Sequence, residues 1–461
     1  MSGPADRPAA PALLLRNAAH AWVGPAGART LVHDTDVLLE GGTVASIGRG
    51  LEGGDARVVD ATGWLVLPGL VNAHHHLSQQ LLRAAAPSAG VVGWLAAHYP
   101  TWARLDAEAA GWGARVGLAE LVLSGVTTVA DLTYFYPRGH ADIFDAQVQA
   151  ARDIGCRLLA VRGGLADVGE AVRAIAGDEV ERAIEPAEVL LAEVERAVTT
   201  YHDPAPDALV KVGAGLTEPL WDRPGTMRAL AALAASYDVR LHTHLHPRPA
   251  DRTAAGGDVV DALRELGWWH DRTWVAHGTA LDVREIDAMA ADGVGLATCP
   301  SSNARLATPI APAWELHRAG GIVAVGVDGA ASNDGGHLVA EARLAWQVQR
   351  IRASADPAEI ALITPEVVLD WATVGGARAL GWDGLGVLEP GGPGDLACFD
   401  LRALEYAGTD DPLAALLLCG TGRRASFVTV AGRPVVEDGR LAGHDEDDLA
   451  AAARHQAARL L

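Results

Sequence analysis

Five histidines and one aspartate stand where they could hold a metal. The run Asn72-Ala-His-His-His-Leu77 sets His74 and His76 two residues apart. In an extended chain residues i and i+2 share a face, so both can reach one ion while His75 points away. Arg240-Leu-His-Thr-His-Leu245 repeats the spacing with His242 and His244, and Thr273-Trp-Val-Ala-His-Gly278 ends an apolar run in His277. Gly326-Val-Asp-Gly-Ala-Ala-Ser-Asn-Asp334 contributes Asp328. Taken singly, each has an ordinary structural explanation: a histidine on a solvated loop, a core imidazole bonded to a backbone carbonyl, an aspartate capping the next helix. Together, three imidazoles and a carboxylate around an open position suit Zn2+, which lowers the pKa of a bound water to about 7 and supplies a nucleophile at neutral pH.

These residues need a scaffold that brings distant segments to one place. From about Pro68 to Trp382, β-like runs alternate with Ala/Leu/Arg-rich helical stretches. The runs are 69–72, 127–131, 157–161, 209–212, 240–244, 273–277, 295–298 and 322–328, and eight such units fit a (β/α)8 barrel of the TIM type. In that architecture chemistry sits at the C-terminal ends of the strands, where the histidines and Asp328 fall. Both ends of the chain differ from this middle. Short β-like runs at 12–16, 35–40, 43–48 and 57–60, and again at 395–400, 425–430 and 433–437, are separated by glycine-rich turns. They predict one small β-sandwich domain built from both termini. The expected division is 1–66 for its N-terminal part, 67–383 for the barrel, 384–443 for its C-terminal part and 444–461 for a terminal helix.

Charge and composition narrow the function. A net charge of −21 argues against a nucleic-acid or anionic-membrane partner, since both are recognised through Lys/Arg excess. Lys211 is the only lysine, which leaves little room for lysine-based catalysis. The four cysteines, Cys156, Cys299, Cys398 and Cys419, are too scattered for a disulfide framework and predict a reducing compartment. No basic stretch followed by an apolar run opens the chain, and no window reaches the ~18 apolar residues of a membrane span. A cytoplasmic protein is expected.

The order Pro68-Gly-Leu-Val-Asn-Ala-His-His-His76, His-Thr-His244, Ala-His-Gly278, Cys299-Pro-Ser-Ser-Asn303 and Gly-Val-Asp-Gly-Ala-Ala-Ser-Asn-Asp334 resembles the amidohydrolase superfamily. Within it, the resemblance is to mononuclear-zinc aminohydrolases, nearest the 8-oxoguanine deaminase branch beside guanine deaminases and s-triazine hydrolases. It covers nearly the whole chain. The resemblance implies His74, His76, His244 and Asp328 as ligands of one Zn2+ per chain, with Fe2+ as the other metal such a site accepts. It places His277 beside the attacking water and makes Asp328 the group that accepts a proton and passes it to the leaving group. Gln79 matches a position that hydrogen-bonds the ring edge in purine-type deaminases. Trp94, Tyr99, Trp102 and Asn303 are candidate substrate contacts, with Arg305 in support, although Trp94, Tyr99 and Trp102 also read as helix core. The implied activity is hydrolytic deamination of a purine-, pterin- or pyrimidine-like heterocycle such as 8-oxoguanine, by a homo-oligomer acting on a small molecule.

One departure matters. In the family, the strand-five histidine is followed three residues later by a proton-shuttling glutamate, and here that place holds Pro247, which has no titratable group. His246 and Glu218 are the candidate replacements: imidazole titrates near neutrality, and Glu218 follows strand four. Glu218 could equally pair with Arg223, or bridge a second metal. Lys211 lies near the start of strand four, the wrong end for a carbamate bridge, so one metal is expected. Loss of the glutamate also admits a displacement whose leaving group needs less protonation, as from an s-triazine, or ring-amide opening.

Overall fold

The computed structural model describes residues 10–166, 173, 178–220, 222–246, 252–253, 255–420 and 422–461. Eight strands follow one another through the middle of the chain: Leu70–Asn72, Val126–Thr133, Arg157–Arg162, Val210–Gly215, Leu241–Leu245, Thr273–His277, Gly295–Thr298 and Val323–Val325. Each pairs in parallel with the next. The last meets the first where the Ala73 N–H donates to the Val325 carbonyl at 3.0 Å. The strands are buried nearly throughout, as strands with helices on one side and a packed barrel interior on the other must be. The helices between them are stopped locally by sequence. Val283–Asp292, for example, starts at a reciprocal capping box between Asp282 and Glu285 and ends at Gly293, whose φ of 71° suits a residue without Cβ.

Strands from both ends of the chain build a second sheet. Its order is Arg440–Leu441, Arg433–Glu437, Phe427–Val430, Leu396–Asp400, Trp64–Pro68, Leu13–Val23, Thr30–Glu40 and Thr43–Gly48, with Arg57–Asp60 also paired to Leu13–Val23. The two ends join where Leu396 lies opposite Pro68 and Asp400 opposite Trp64, in antiparallel register. A single residue, Gly69, separates this sheet from the first barrel strand. A Cβ there would overlap the Thr127 side chain, so the crossing requires glycine.

The eighth strand is shorter than the 322–328 run predicts. Regular pairing ends at Val325; Gly326 still donates to the Thr298 carbonyl at 3.0 Å and passes close against the backbone of His74, where a Cβ would sit 3.0 Å from the His74 nitrogen. The chain then turns, and the Asp328 N–H donates to the His74 carbonyl at 3.1 Å. The fourth strand runs on to Gly215, beyond the expected 209–212.

Barrel and terminal sheet are fastened by an ion pair out of water. Arg157 Nε and Nη2 donate to Asp395 Oδ2 and Oδ1 at 2.8 and 2.9 Å, and Nη1 donates to the Asp207 carbonyl at 2.7 Å. Breaking one side of such a pair strands a buried charge. Arg157→Ala is therefore expected to lower stability by about 3–5 kcal/mol, read as a shifted denaturation midpoint. An unchanged midpoint would show that the pair is dispensable. No helix among the described residues is long and apolar enough to cross a membrane.

Candidate metal centre and its pocket

The strand ends bring His74, His76, His244, His277 and Asp328 together. The ligand atoms of His74, His76 and His244 all lie within 4.8 Å of one another, and those of His74, His277 and Asp328 do likewise. His76 Nε2 is 3.0 Å from His244 Nε2, and Asp328 Oδ1 is 3.4 Å from His74 Nε2 and 3.3 Å from His76 Nε2. Tetrahedral ligands at 2.0–2.1 Å from a zinc ion stand about 3.3–3.4 Å apart. The donor set therefore has the dimensions of a single-ion site.

Backbone contacts fix which nitrogen of each ring is free. His76 Nδ1 is 2.6 Å from the Leu132 carbonyl, and His244 Nδ1 faces the Thr217 carbonyl. A carbonyl only accepts, so each Nδ1 carries the proton and each Nε2 turns a lone pair inward. His74 reaches the same state through a relay. His242 Nδ1 donates to the Trp274 carbonyl at 2.8 Å, leaving His242 Nε2 to accept from His74 Nδ1 at 2.8 Å. His74 Nε2 is then buried with no hydrogen-bond partner. His277 Nδ1 donates to Asn303 Oδ1 at 3.0 Å. Lone pairs converging at such distances repel unless a cation sits among them, and this is the observation that fits the cluster to a metal.

Burial reinforces the neutral rings. It lowers His76 to about 3 and His277 to about 4, and holds His242 and His244 well below the ordinary imidazole value. Burial works against ionisation of Asp328, but a hydrogen bond from His74 and positive charge at His277, His76 and His74 hold the carboxyl well below the carboxylate range; with the rings neutral, a bound cation would supply that charge. Asp328 Oδ1 accepts from the Gly329 N–H at 2.6 Å, and Oδ2 accepts from the Ser332 hydroxyl at 3.0 Å. His277 and Asp328 have φ of 73° and 65°, values that side chains other than glycine rarely adopt. Such conformations persist where the surrounding structure enforces them, and they concentrate at functional sites.

The remaining predicted residues fall at different distances from this centre. His246 stacks on His277, ring centroids 4.6 Å apart and planes 24° apart, while its Nδ1 bonds Thr279 Oγ1 at 2.9 Å. Its backbone N–H donates to Glu218 Oε1 at 3.2 Å, so the two candidate shuttles adjoin one another. Pro247 lies outside the described residues. Lys211 is second in its strand, at the end away from the cluster, with Nζ 4.9 Å above the Trp382 ring. Arg305 is committed to Asp334 Oδ2 at 2.7 Å and the Ala85 carbonyl at 2.8 Å. It fastens two loops together. Trp94, Tyr99 and Trp102, all on the helix Val91–Trp102, are buried, and Trp94 and Tyr99 each meet Trp102 at 5.4 Å. Trp94 Nε1 donates to the Ala331 carbonyl at 2.8 Å, beside the Asp328 turn. None of the three is in ring contact with the histidine cluster.

Tyr134 makes that contact, and the motif reading missed it. It follows directly on the second barrel strand, which is the signal that could have found it. Its ring is 4.9 Å from His76, 5.7 Å from His244 and 6.1 Å from Trp102. Burial first, then the nearby Tyr99 and Asp328, push its hydroxyl well above the ordinary phenol value. Asp131 was missed too. It accepts from the Leu77 N–H at 2.7 Å and from Thr133 Oγ1 at 3.0 Å, pinning the backbone that follows His76.

Comparison with known proteins points the same way. Residues 65–443 match the Amidohydrolase family. The chain is 42% identical to an 8-oxoguanine deaminase from Pseudomonas aeruginosa, over 92% of this chain and 93% of that protein. It is 33% identical to an isoxanthopterin deaminase from an unknown prokaryotic organism, over 98% of each. Among solved structures, an atrazine chlorohydrolase from Arthrobacter aurescens TC1 complexed with zinc superposes with a TM-score of 0.89 at 31% identity, covering 96% of this chain and 100% of that one.

Proposed function

The chain belongs to the Amidohydrolase family, and we propose that it is a one-zinc aminohydrolase releasing ammonia from a purine- or pterin-like heterocycle such as 8-oxoguanine. It is a metal-dependent hydrolytic deaminase acting on C–N bonds of heterocycles. What carries the finer reading is the convergence of unprotonated Nε2 atoms on ionised Asp328. His74, His76, His244 and Asp328 would hold the metal, which when bound polarises a water and eases its deprotonation.

The protein groups then divide the work. His277, protonated on Nδ1 by its bond to Asn303, offers Nε2 as an acceptor that orients the attacking water. Asp328 Oδ2, 3.8 Å from His277 Nε2, takes the water's proton and hands it to the departing amino group. Gln79 contacts the ring edge, with Trp102, Tyr99 and Trp94 lining the space beyond. His246 or Glu218 serves as the proton shuttle in place of the missing glutamate; the stacking of His246 on His277 favours the imidazole. The native setting inferred is cytoplasmic, as a homo-oligomer, without nucleic-acid or membrane partners. The net charge of −21 supports the exclusion of nucleic acid.

Pro247 favours a second reading, displacement of a leaving group that needs no protonated ring nitrogen, as from an s-triazine. Zinc-loaded protein offered 8-oxoguanine, guanine, isoxanthopterin, an isocytosine and chloro- and alkylamino-triazines is expected to release ammonia from the aminopurines or pterins, with one metal per chain. Chloride or alkylamine release alone would move the assignment to the second reading. Two metals per chain would overturn the one-zinc site.

A further inference from the structure

The region between Tyr134 and the aromatic helix concentrates unsatisfied polar atoms. Gln79 Oε1, Tyr99 hydroxyl, Trp102 Nε1 and His98 Nε2 are all buried without a hydrogen-bond partner among the described residues. A buried polar group left unpaired costs about 1–3 kcal/mol, so four within one ring cluster mark a surface shaped for a polar ligand. Tyr134 joins this surface to the metal centre. Its ring stands at 83° to His76 and 88° to His244, and these edge contacts fix its orientation. Its hydroxyl accepts from Gln79 Nε2 at 3.1 Å. That bond uses a lone pair of the phenol and one donor of the amide. What remains is the phenolic proton and, next to it, the unpaired Gln79 Oε1. Gln79 is itself held in place: a Cβ on Gly329, the residue after Asp328, would collide with its amide.

One donor beside one acceptor complements an N=C–N–H edge, in which a ring nitrogen accepts and the adjoining nitrogen donates. We propose that Tyr134 is a specificity-determining residue whose hydroxyl donates to the ring nitrogen adjoining the attacked carbon, while Gln79 Oε1 accepts from the neighbouring N–H, so that the site selects cyclic amidines. This rests on the deaminase reading and adds to it the atoms by which the substrate class is recognised. An aromatic ring of equal size lacking either the accepting nitrogen or the neighbouring N–H leaves a buried polar group unpaired and is rejected. Polar sites discriminate in this way far more sharply than apolar ones.

The test compares Tyr134→Phe with the unmodified zinc-loaded enzyme on a matched pair of ligands. One is an amino-oxopurine, and the other is its deaza analogue with C–H in place of the ring nitrogen adjoining the amino-bearing carbon. Binding is measured by calorimetry and turnover by ammonia release. The unmodified enzyme is expected to prefer the nitrogen-bearing ligand by at least about tenfold. Tyr134→Phe should lose that preference, binding the deaza analogue within twofold of the unmodified enzyme and retaining one metal per chain. Equal weakening toward both ligands, or a preference left intact, would overturn the role of Tyr134 while leaving the deaminase reading standing. An unmodified enzyme that binds and deaminates no member of the pair or of the wider panel would overturn both.

Discussion

Asp328→Asn is expected to lower the rate of ammonia release by about three orders of magnitude or more, within the range that positioned acid–base groups supply. The substitution keeps the volume of the side chain, and its one oxygen can go on accepting from the Gly329 N–H, while the Ser332 hydroxyl turns to its other acceptor, the Gly329 carbonyl, so the fold should survive. What it removes is charge and basicity. Asparagine cannot take a proton from water, and its neutral amide removes the negative charge that now lies 3.3–3.4 Å from the Nε2 atoms of His74 and His76. A cation among those nitrogens is then held less tightly. Metal content and kcat should therefore fall together, with the melting temperature of the metal-free protein little changed. Turnover within tenfold of the unmodified enzyme would remove Asp328 from the chemistry.

Acid should unfold this protein at a pH where carboxylates are still ionised. Burial lowers His75 and His76 to about 3 and His277 to about 4, and His242 and His244 lie well below the usual imidazole value for the same first reason. A histidine whose folded pKa is depressed stays neutral in the native chain while the unfolded chain takes up a proton. Its contribution is complete above the unfolded value near 6.5 and is lost as the pH falls toward the folded value. Asp131 and Glu341, both raised to about 7 by burial, act in the opposite sense and gain stability between pH 7 and about 4. The depressed histidines outnumber the two raised acids, so the net effect is a loss of stability as the pH falls below about 6.5. His98, His202, His317 and His337 shift in the same direction, chiefly by burial. Thermal melts across this window should show a steep fall, and a flat profile would refute the assignment of neutral rings.

The barrel was legible because its strands are short apolar runs whose chemistry-bearing residues sit at one end. His74 and His76 announce themselves through the period of two that an extended chain imposes. The relay could not be read in the same way. His242 and His244 share that spacing, yet one bonds His74 and the other faces His76 directly, a distinction set by contacts spanning 168 residues of sequence. Tyr134 and Asp131 were missed for a related reason. Each acts on the segment after His76, more than 50 residues earlier, and neither stands in a spacing pattern. The aromatic run of Trp94, Tyr99 and Trp102 allowed both a core and a pocket reading from sequence. The structure packs the rings together and leaves two of the three polar tips unpaired. The eighth strand was overestimated because apolar character continues through Val327, whereas regular pairing ends at Val325.

The strand Trp64–Pro68 has a consequence for how the chain is made. It is laid between Leu13–Val23 and Leu396–Asp400, and one glycine later the chain enters the barrel. During synthesis one edge of this strand can be covered at once, but the other must wait until the ribosome has added more than 300 further residues. Until then a buried-type apolar edge stands open beside a barrel whose first strand also lacks its final neighbour. Long-range pairings of this kind are the slow steps of folding and the exposed ones. The nascent protein is thus expected to carry this open edge from the moment residue 68 emerges until residue 400 does, with the closing of the sheet and of the barrel joined at Gly69.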